Sequence, residues 1–463
     1  MSLMCEANVR KVKFKPAVYG ISIVAALAGL LFGLDIGVIS GVLPFLKADF
    51  NPSNVQLEWV VSSVLAGAAI GALLSGIFTR RYGRRNVLLI AVLIFGVSSF
   101  FSSISFGPFD LICYRFVLGF SIGIASFTAP IYLSEIAPYS IRGKLVAMYQ
   151  FMITIGIFIA FLSDKALSGG AHWRLMLGVL VIPAVIMFIC LFFLPESPRW
   201  LMLVKREKDA RKVLEKVRNS SEEIEKELND IRTLSNTSSK ILTLLSNKNF
   251  VRIFILGIVL QAFQQLTGYN IMMYYAPEIF KHAGFTSING QLWGTVSVGF
   301  FNMIFTLVAI FFVDKIGRKP LLLTGFALFA ASMIITGIMF RIDTPEANFV
   351  AIITLFIVVF AFSMSIGPII WIYCSEIFPL AGRDLGMTGA TVSNWVFNMI
   401  IGATFLSLLS SIGISTTFIM YGVLCIIFFF VGLAIFPETK NIPLEKIEEN
   451  LMAGKPLKRI GDI

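Results

Sequence analysis

Charge is scarce in this chain. Only 14% of its 463 residues are Asp, Glu, Lys or Arg, histidine occurs twice, and the five cysteines, Cys5, Cys113, Cys190, Cys374 and Cys425, are scattered. So few charges cannot solvate the surface of a water-soluble protein of this length, which excludes a large soluble catalytic domain. Four of the cysteines lie inside apolar segments, and their spacing offers neither a disulfide framework nor a metal-ligand set. The sequence also lacks a phosphate loop and any nucleophile, base and orienter constellation, so it reads as no enzyme. Gly67 to Gly71 and Gly119 to Gly123 have helix-packing spacing, not that of a nucleotide fingerprint. No metal and no organic cofactor is expected.

Apolar residues are abundant instead: 57% of the chain is hydrophobic and the mean hydropathy is +0.85. A membrane-spanning helix needs roughly 20 apolar residues. Such runs fall at 18–46, 56–79, 86–106, 109–133, 144–164 and 173–194, and again at 251–280, 290–313, 319–340, 348–374, 385–409 and 415–436. The sequence therefore predicts an all-α membrane protein with twelve transmembrane helices. Arg10 to Lys15 ahead of the first run mimics a secretory signal, but the apolar stretch continues to Phe45 and is expected to be a retained span.

The net charge of +11 does not form a nucleic-acid footprint, because the basic residues cluster in alternate loops: Arg80 to Arg85, Arg142 to Lys144, 199–248, Lys315 to Lys319, Arg383 and both termini. The positive-inside rule places these loops and both termini in the cytoplasm. The expected organisation is a cytoplasmic N-terminus (1–17), a six-helix half (18–194), a cytoplasmic linker with short helices (195–250), a second half (251–436) and a cytoplasmic tail (437–463). In the linker, Leu201, Val204, Val213, Leu214 and Val217 fit amphipathic helices, and a solvated spacer is the simplest expectation. Asn51-Pro52-Ser53 is blocked as a glycosylation site by its proline. The other sequons, at Asn219 and Asn236, fall in the linker, which suits a bacterial inner membrane.

The halves repeat each other. Arg81-Tyr82-Gly83-Arg84-Arg85 recurs as Lys315-Ile316-Gly317-Arg318-Lys319, Ser134-Glu135-Ile136-Ala137-Pro138 as Ser375-Glu376-Ile377-Phe378-Pro379, and Pro195-Glu196-Ser197 as Pro437-Glu438-Thr439, at offsets of about 240 residues. Each motif follows the same span of its half. Two parallel six-helix halves around a central site describe an alternating-access transporter.

Several polar groups fall where a bilayer would not tolerate them. Asp35 lies near the middle of the first span, where an ionised carboxylate costs roughly 2.5–3.5 kcal/mol on insertion scales. Arg115 in the fourth span lies at a reachable depth, and the two are expected to pair. The ridge of Gly29, Gly33, Gly37 and Gly41 should let another helix approach on a different side from Asp35, whose carboxylate should face a cavity. Gln261, Gln264, Gln265 and Gly268 line one face of the seventh span, and unwinding at Thr267-Gly268-Tyr269 would turn Asn270 toward it. Thr391, Asn394 and Asn398 share a face of the eleventh span, Gln150 and Thr154 one of the fifth, and Asn302 sits mid-way along the eighth. Amides offer both donors and acceptors, so a cluster of them suits a neutral ligand rich in hydroxyls. Trp371, after Gly367-Pro368, is expected beside a helix break, where its ring could stack on a sugar.

These residues carry a family likeness. The Arg81 to Arg85 motif, Pro195-Glu196-Ser197-Pro198-Arg199, Gln264 to Asn270 and Pro437-Glu438-Thr439-Lys440 together resemble the sugar porters of the major facilitator superfamily, particularly the bacterial galactose or glucose proton symporters. The resemblance implies the major facilitator fold. It also implies hexose contacts at Gln150, Gln264, Gln265, Asn270, Asn302, Trp371 and Asn394. Cytoplasmic ion pairs among Arg84, Glu135, Arg142, Arg318, Glu376 and Arg383 would hold the halves together when the site opens outward. Proton-coupled members carry aspartate where this chain has Asp35, and facilitative uniporters carry asparagine. Ser363 stands where the uniporters are acidic, and Ile370 where they have a proline. The function implied is proton and hexose symport by a monomer in a lipid bilayer, with the proton as coupling ion, sugar as partner and no nucleic acid. A facilitative uniporter, or a sugar sensor that does not transport, are the alternatives.

Overall fold

The computed structural model describes residues 15–138, 141–170, 172–235, 245–379, 382–440 and 442–462, and every regular element among them is helical. The extreme N-terminus and the Asn236 sequon lie outside the described residues.

In the first half, α1 (Pro16–Phe50), α2 (Asn54–Tyr82), α3 (Arg84–Ser103), α4 (Pro108–Ile136) and α5 (Arg142–Leu167) are followed by α6 (Trp173–Gly178) and α7 (Val181–Phe192), which share the sixth span. Local chemistry sets the starts. Prolines open α1 and α4, where the missing N–H costs nothing. Ser53 begins α2 with a capping box, exchanging side-chain to backbone hydrogen bonds with Gln56.

Three linker helices, α8 (Pro198–Leu203), α9 (Glu207–Val217) and α10 (Ser221–Ser235), lead to the second half. Its seventh span is broken into α11 (Lys248–Leu266), α12 (Tyr269–Tyr274) and α13 (Ala276–His282). Then come α14 (Ile288–Ile316), α15 (Arg318–Ile342) and α16 (Pro345–Ala361), a π turn at Phe362–Ile366 and α17 (Gly367–Ile377), α18 (Arg383–Gly402), α19 (Phe405–Ile435), which is broken at Gly413 (φ 79°), and the tail helix α20 (Leu444–Met452). Eleven described helices are long and apolar enough to cross a membrane. The remaining span, the eleventh (α18), is more polar because Thr391, Ser393, Asn394 and Asn398 lie on its buried side. Protein, not lipid, surrounds them, which is where a spanning helix tolerates such groups.

Small residues bring backbones together. Along α1, added methyl groups at Gly29, Gly33, Gly37 and Gly41 would strike Tyr149, Ile153, Ile157 with Ala160, and Asp164, all on α5. Gly156 answers from α5, directly against Leu30 and Gly33. Gly67 and Gly71 of α2 meet the backbone of α4, and Gly119 and Gly123 of α4 meet that of α2. Two close helix pairs therefore make the first half rigid. Between the halves, α2 packs on α18, α5 on α14 and α1 on α12. Ring contacts mark the seam: Phe32 with Trp395 at 5.2 Å and Phe158 with Phe300 at 5.7 Å between centroids.

Two expectations need correction. The tenth span does not break at Gly367-Pro368. Its preceding turn widens to a π turn, and Pro368 falls in the first turn of α17, where a proline is accommodated without ending the rod. Trp371 is half-buried on that continuous helix. Nor is the linker a solvated spacer. Leu201, Val213, Leu214 and Val217 are buried, Val204 at the end of α8 is exposed, and polar contacts dock the helices on the first half. Trp200 Nε1 donates to the Arg80 carbonyl at 2.9 Å. Buried Arg218 pairs with Glu227 and donates to the Ile136 carbonyl at 2.8 Å, capping the end of α4.

Replacing Gly33 by alanine should lower stability by about 1–3 kcal/mol, because the α1–α5 contact has no room for a methyl group. The same change at Gly76, which has open space around it, should be neutral or slightly stabilising. Thermal unfolding of the purified variants in detergent checks both.

Candidate functional site

The first half holds a buried charge pair. Asp35 is 2% exposed and Arg115 1%, and Arg115 Nη1 lies 3.2 Å from Asp35 Oδ1. Arg115 Nε also donates to the Val60 carbonyl of α2 at 2.8 Å, so three helices meet at the guanidinium. Breaking such a pair by removing one partner strands a buried charge. The Asp35 carboxylate borders a cavity of about 10 Å³, room for about one water, lined by Phe32, Ile36, Val61, Arg115 and, from the second half, Tyr274. The ion pair thus sits at the seam.

Across it lies a network of amides. Helix α11 ends at Leu266, and Gly268 takes a left-handed conformation with φ of 80° before α12 restarts. Other side chains resist that conformation, and the break sends Asn270 back, its Nδ2 donating to Gln265 Oε1 at 2.6 Å. Gln264 Nε2 donates to the carbonyls of Ile366 and Gly367 at 3.2 and 2.8 Å, tying the seventh span to the tenth at its π turn. Asn394 Nδ2 donates to Gln261 Oε1 and Gln264 Oε1, both at 2.7 Å, which brings in the eleventh span. Asn302 of the eighth accepts from Tyr269 Oη at 2.9 Å and Ser363 Oγ at 2.8 Å. The Tyr269 ring stacks on Phe362 at 3.6 Å. Gln264, Gln265, Asn302 and Asn394 are buried, whereas Asn270, Gln150 and Trp371 keep part of their surface open. Gln150 makes no hydrogen bond to any described residue, so its amide is available to a ligand.

Tyr269, Tyr274 and the bonding of Ser363 escape a reading by sequence alone. The tyrosines beside the glycine turn look like packing aromatics until the break exposes where they point. Tyr274 Oη and Asn398 exchange hydrogen bonds at 3.1–3.2 Å.

At the basic end the repeated motifs assemble into matching clusters, one in each half. Glu196 accepts from the backbone N–H groups of Arg84 (2.8 Å) and Arg85 (3.1 Å), at the start of α3. Glu438 accepts from those of Arg318 (3.0 Å) and Lys319 (3.1 Å), at the start of α15. In each case a carboxylate meets the positive end of a helix. Arg84 pairs with Glu135 and Arg318 with Glu376, both at 2.9 Å. Ser197 donates to Glu135, and Thr439 to Glu376 at 2.6 Å. These four charged residues pair inside their own halves here. Arg383 Nη2 donates to the Phe378 carbonyl at 3.4 Å, and the Arg142 side chain lies outside the described residues. Among the described residues no group of three His, Cys, Asp or Glu side chains could hold a metal.

Known proteins resemble this chain along nearly its whole length. The model of the family described as "Sugar (and other) transporter" matches residues 21–451. The chain is 48% identical over 450 residues to the galactose-proton symporter of Escherichia coli (strain K12), covering 96% of this chain and 97% of that protein. It is 47% identical over 447 residues to the arabinose-proton symporter of the same strain, covering 95% of each. Among solved structures, the inward open conformation of the xylose transporter XylE from E. coli superposes with a TM-score of 0.80 at 32% identity, covering 93% of this chain and 99% of that one. Another structure of that transporter, described as a major facilitator superfamily proton:xylose symporter, matches at a TM-score of 0.78. With two repeated six-helix halves, a buried charge pair at their seam and a family match along nearly its whole length, the chain belongs to the sugar transporter family of the major facilitator superfamily.

Proposed function

We propose that the protein is a proton-coupled hexose symporter of the glucose and galactose type, working by alternating access. The observation that carries this is the Asp35 and Arg115 pair: a buried carboxylate with one cationic partner, beside a cavity that the second half completes through Tyr274. A proton arriving at Asp35 cancels the charge that holds Arg115, and the two halves are then free to rock. Sugar held by Gln264, Gln265, Asn270, Asn302, Trp371 and Asn394 on one side and Gln150 on the other biases the same equilibrium, because its contacts span the seam. The names of the galactose and arabinose relatives support a monosaccharide coupled to a proton.

The basic end faces the cytoplasm by the positive-inside rule, and both termini lie there, in a bacterial inner membrane. The protein acts as a monomer. The seam contacts near the non-basic end close the outer side, and in the opposite state Glu135, Arg142, Glu376 and Arg383, supported by Arg84 and Arg318, close the cytoplasmic side. A membrane potential near 150 mV supplies about 3.5 kcal/mol per charge, sufficient for accumulation of a few hundredfold.

Uptake of labelled glucose or galactose into proteoliposomes tests the proposal. An imposed inward proton gradient should drive sugar above its outside concentration. Asp35→Asn should abolish that accumulation and leave exchange of internal for external sugar intact; uphill uptake in that variant would reject the mechanism. Gln150→Ala should raise the KM for sugar about tenfold with the melting temperature unchanged, because one unshared ligand hydrogen bond is lost. Asn394→Ala should raise KM and also lower the melting temperature, since Gln261 and Gln264 lose their donor.

A further inference from the structure

A second carboxylate lies buried at the seam, apart from the Asp35 and Arg115 pair. Glu58, in the second turn of α2 on the side opposite the basic loops, is only 2% exposed. Its carboxylate accepts from the backbone N–H of Ser407 at 2.6 Å and from Ser407 Oγ at 2.7 Å. Ser407 lies in the first turn of α19, in the other half. Both donors to a buried acid are therefore supplied from across the seam, and no described cation pairs with it. Gly402, just before that turn, faces Val61 and Leu65, one and two turns further along α2, and its carbonyl accepts from Tyr275 Oη at 2.7 Å.

We propose that Glu58 is a latch that holds the outer end closed, and so a positioning residue that sets the balance between the two open states. The chemistry suits a gate better than glue. Apolar contact would keep the halves together without an equally good alternative. A carboxylate is satisfied either by the charge-assisted bonds and helix N-terminus offered by α19 or by water once the halves part. The closed state is favoured by bonds that the open state can replace. The latch also adjoins the coupling pair: Val60, whose carbonyl receives Arg115 Nε, is two residues from Glu58. The outer turns of α2 are thus gripped by Arg115 on one side and by α19 on the other.

The inference rests on the alternating-access reading, and the experiment separates the two. Spin labels at Ala48→Cys and Ser411→Cys, exposed sites on the outer ends of the two halves, report the gap by double electron–electron resonance in a background with the native cysteines replaced. The intact latch should give mainly the short distance. Glu58→Ala should raise the ratio of outer-open to outer-closed molecules roughly tenfold, since the Ser407 donors lose their partner. Adding Ser407→Ala to Glu58→Ala should change nothing further, and the isosteric Glu58→Gln, which keeps one acceptor oxygen, should shift the ratio in the same direction by a smaller factor. If sugar shifts the distances of the parent but neither Glu58 variant does, or if the two alanine effects add, the latch is overturned while transport stands. If sugar and protons move no distance in the parent, the alternating-access reading falls and the latch with it.

Discussion

Two opposite charges, both almost wholly removed from water and 3.2 Å apart, constrain everything around them. Neither Asp35 nor Arg115 could remain in the membrane interior alone. Together they require three helices to stay at fixed separations: α1 carries the carboxylate, α4 the guanidinium, and α2 the carbonyl that accepts from Arg115 Nε. The glycine ridges supply that fixity, since they bring α1 onto α5 and α2 onto α4 at backbone contact. In the proposed mechanism, a rigid half lets loss of one charge be felt as a change at the seam rather than dissipated as local rearrangement.

The second half is built to yield where the first is built to hold. Its seventh span breaks at Gly268 and its tenth carries a π turn, and the two irregularities are joined through Gln264. Around them the amides bond to one another, to tyrosine and serine hydroxyls and to backbone carbonyls of the tenth span. A hydroxyl-rich ligand can take over such bonds one for one, so binding need not leave buried polar groups without partners. At the basic end, by contrast, the two halves carry the same cluster: a carboxylate capping a helix start, an arginine, a glutamate and a hydroxyl. Each cluster ties the third helix of its half to the end of the fourth and to the residues after the sixth. This repetition lets each half move as a body.

Much of this was legible in the amino-acid order. Twelve spans, the internal repeat and the facing depths of Asp35 and Arg115 follow from apolar run lengths and from polar residues placed where lipid would reject them. The glycine turn at 267–269 announced itself as a helix breaker. Other features did not. Gly367-Pro368 carries the same local signal of a break, yet the helix continues, because a π turn upstream absorbs the irregularity. Local propensity cannot distinguish those outcomes. The linker looked soluble because its charged faces dominate its composition, while its docking depends on Arg218 finding two carbonyls some 80 residues away in sequence. Glu58 was invisible for a related reason: an acid near a helix start is ordinary, and its partner lies 349 residues distant.

In the proposed mechanism sugar and proton move together. Adding galactose or glucose to de-energised cells or proteoliposomes in weak buffer should raise the pH of the medium as protons follow the sugar inward, and the Asp35→Asn variant should take up sugar without that signal. An unchanged external pH during demonstrable sugar entry into the parent would contradict coupling and leave the buried pair as scaffold alone.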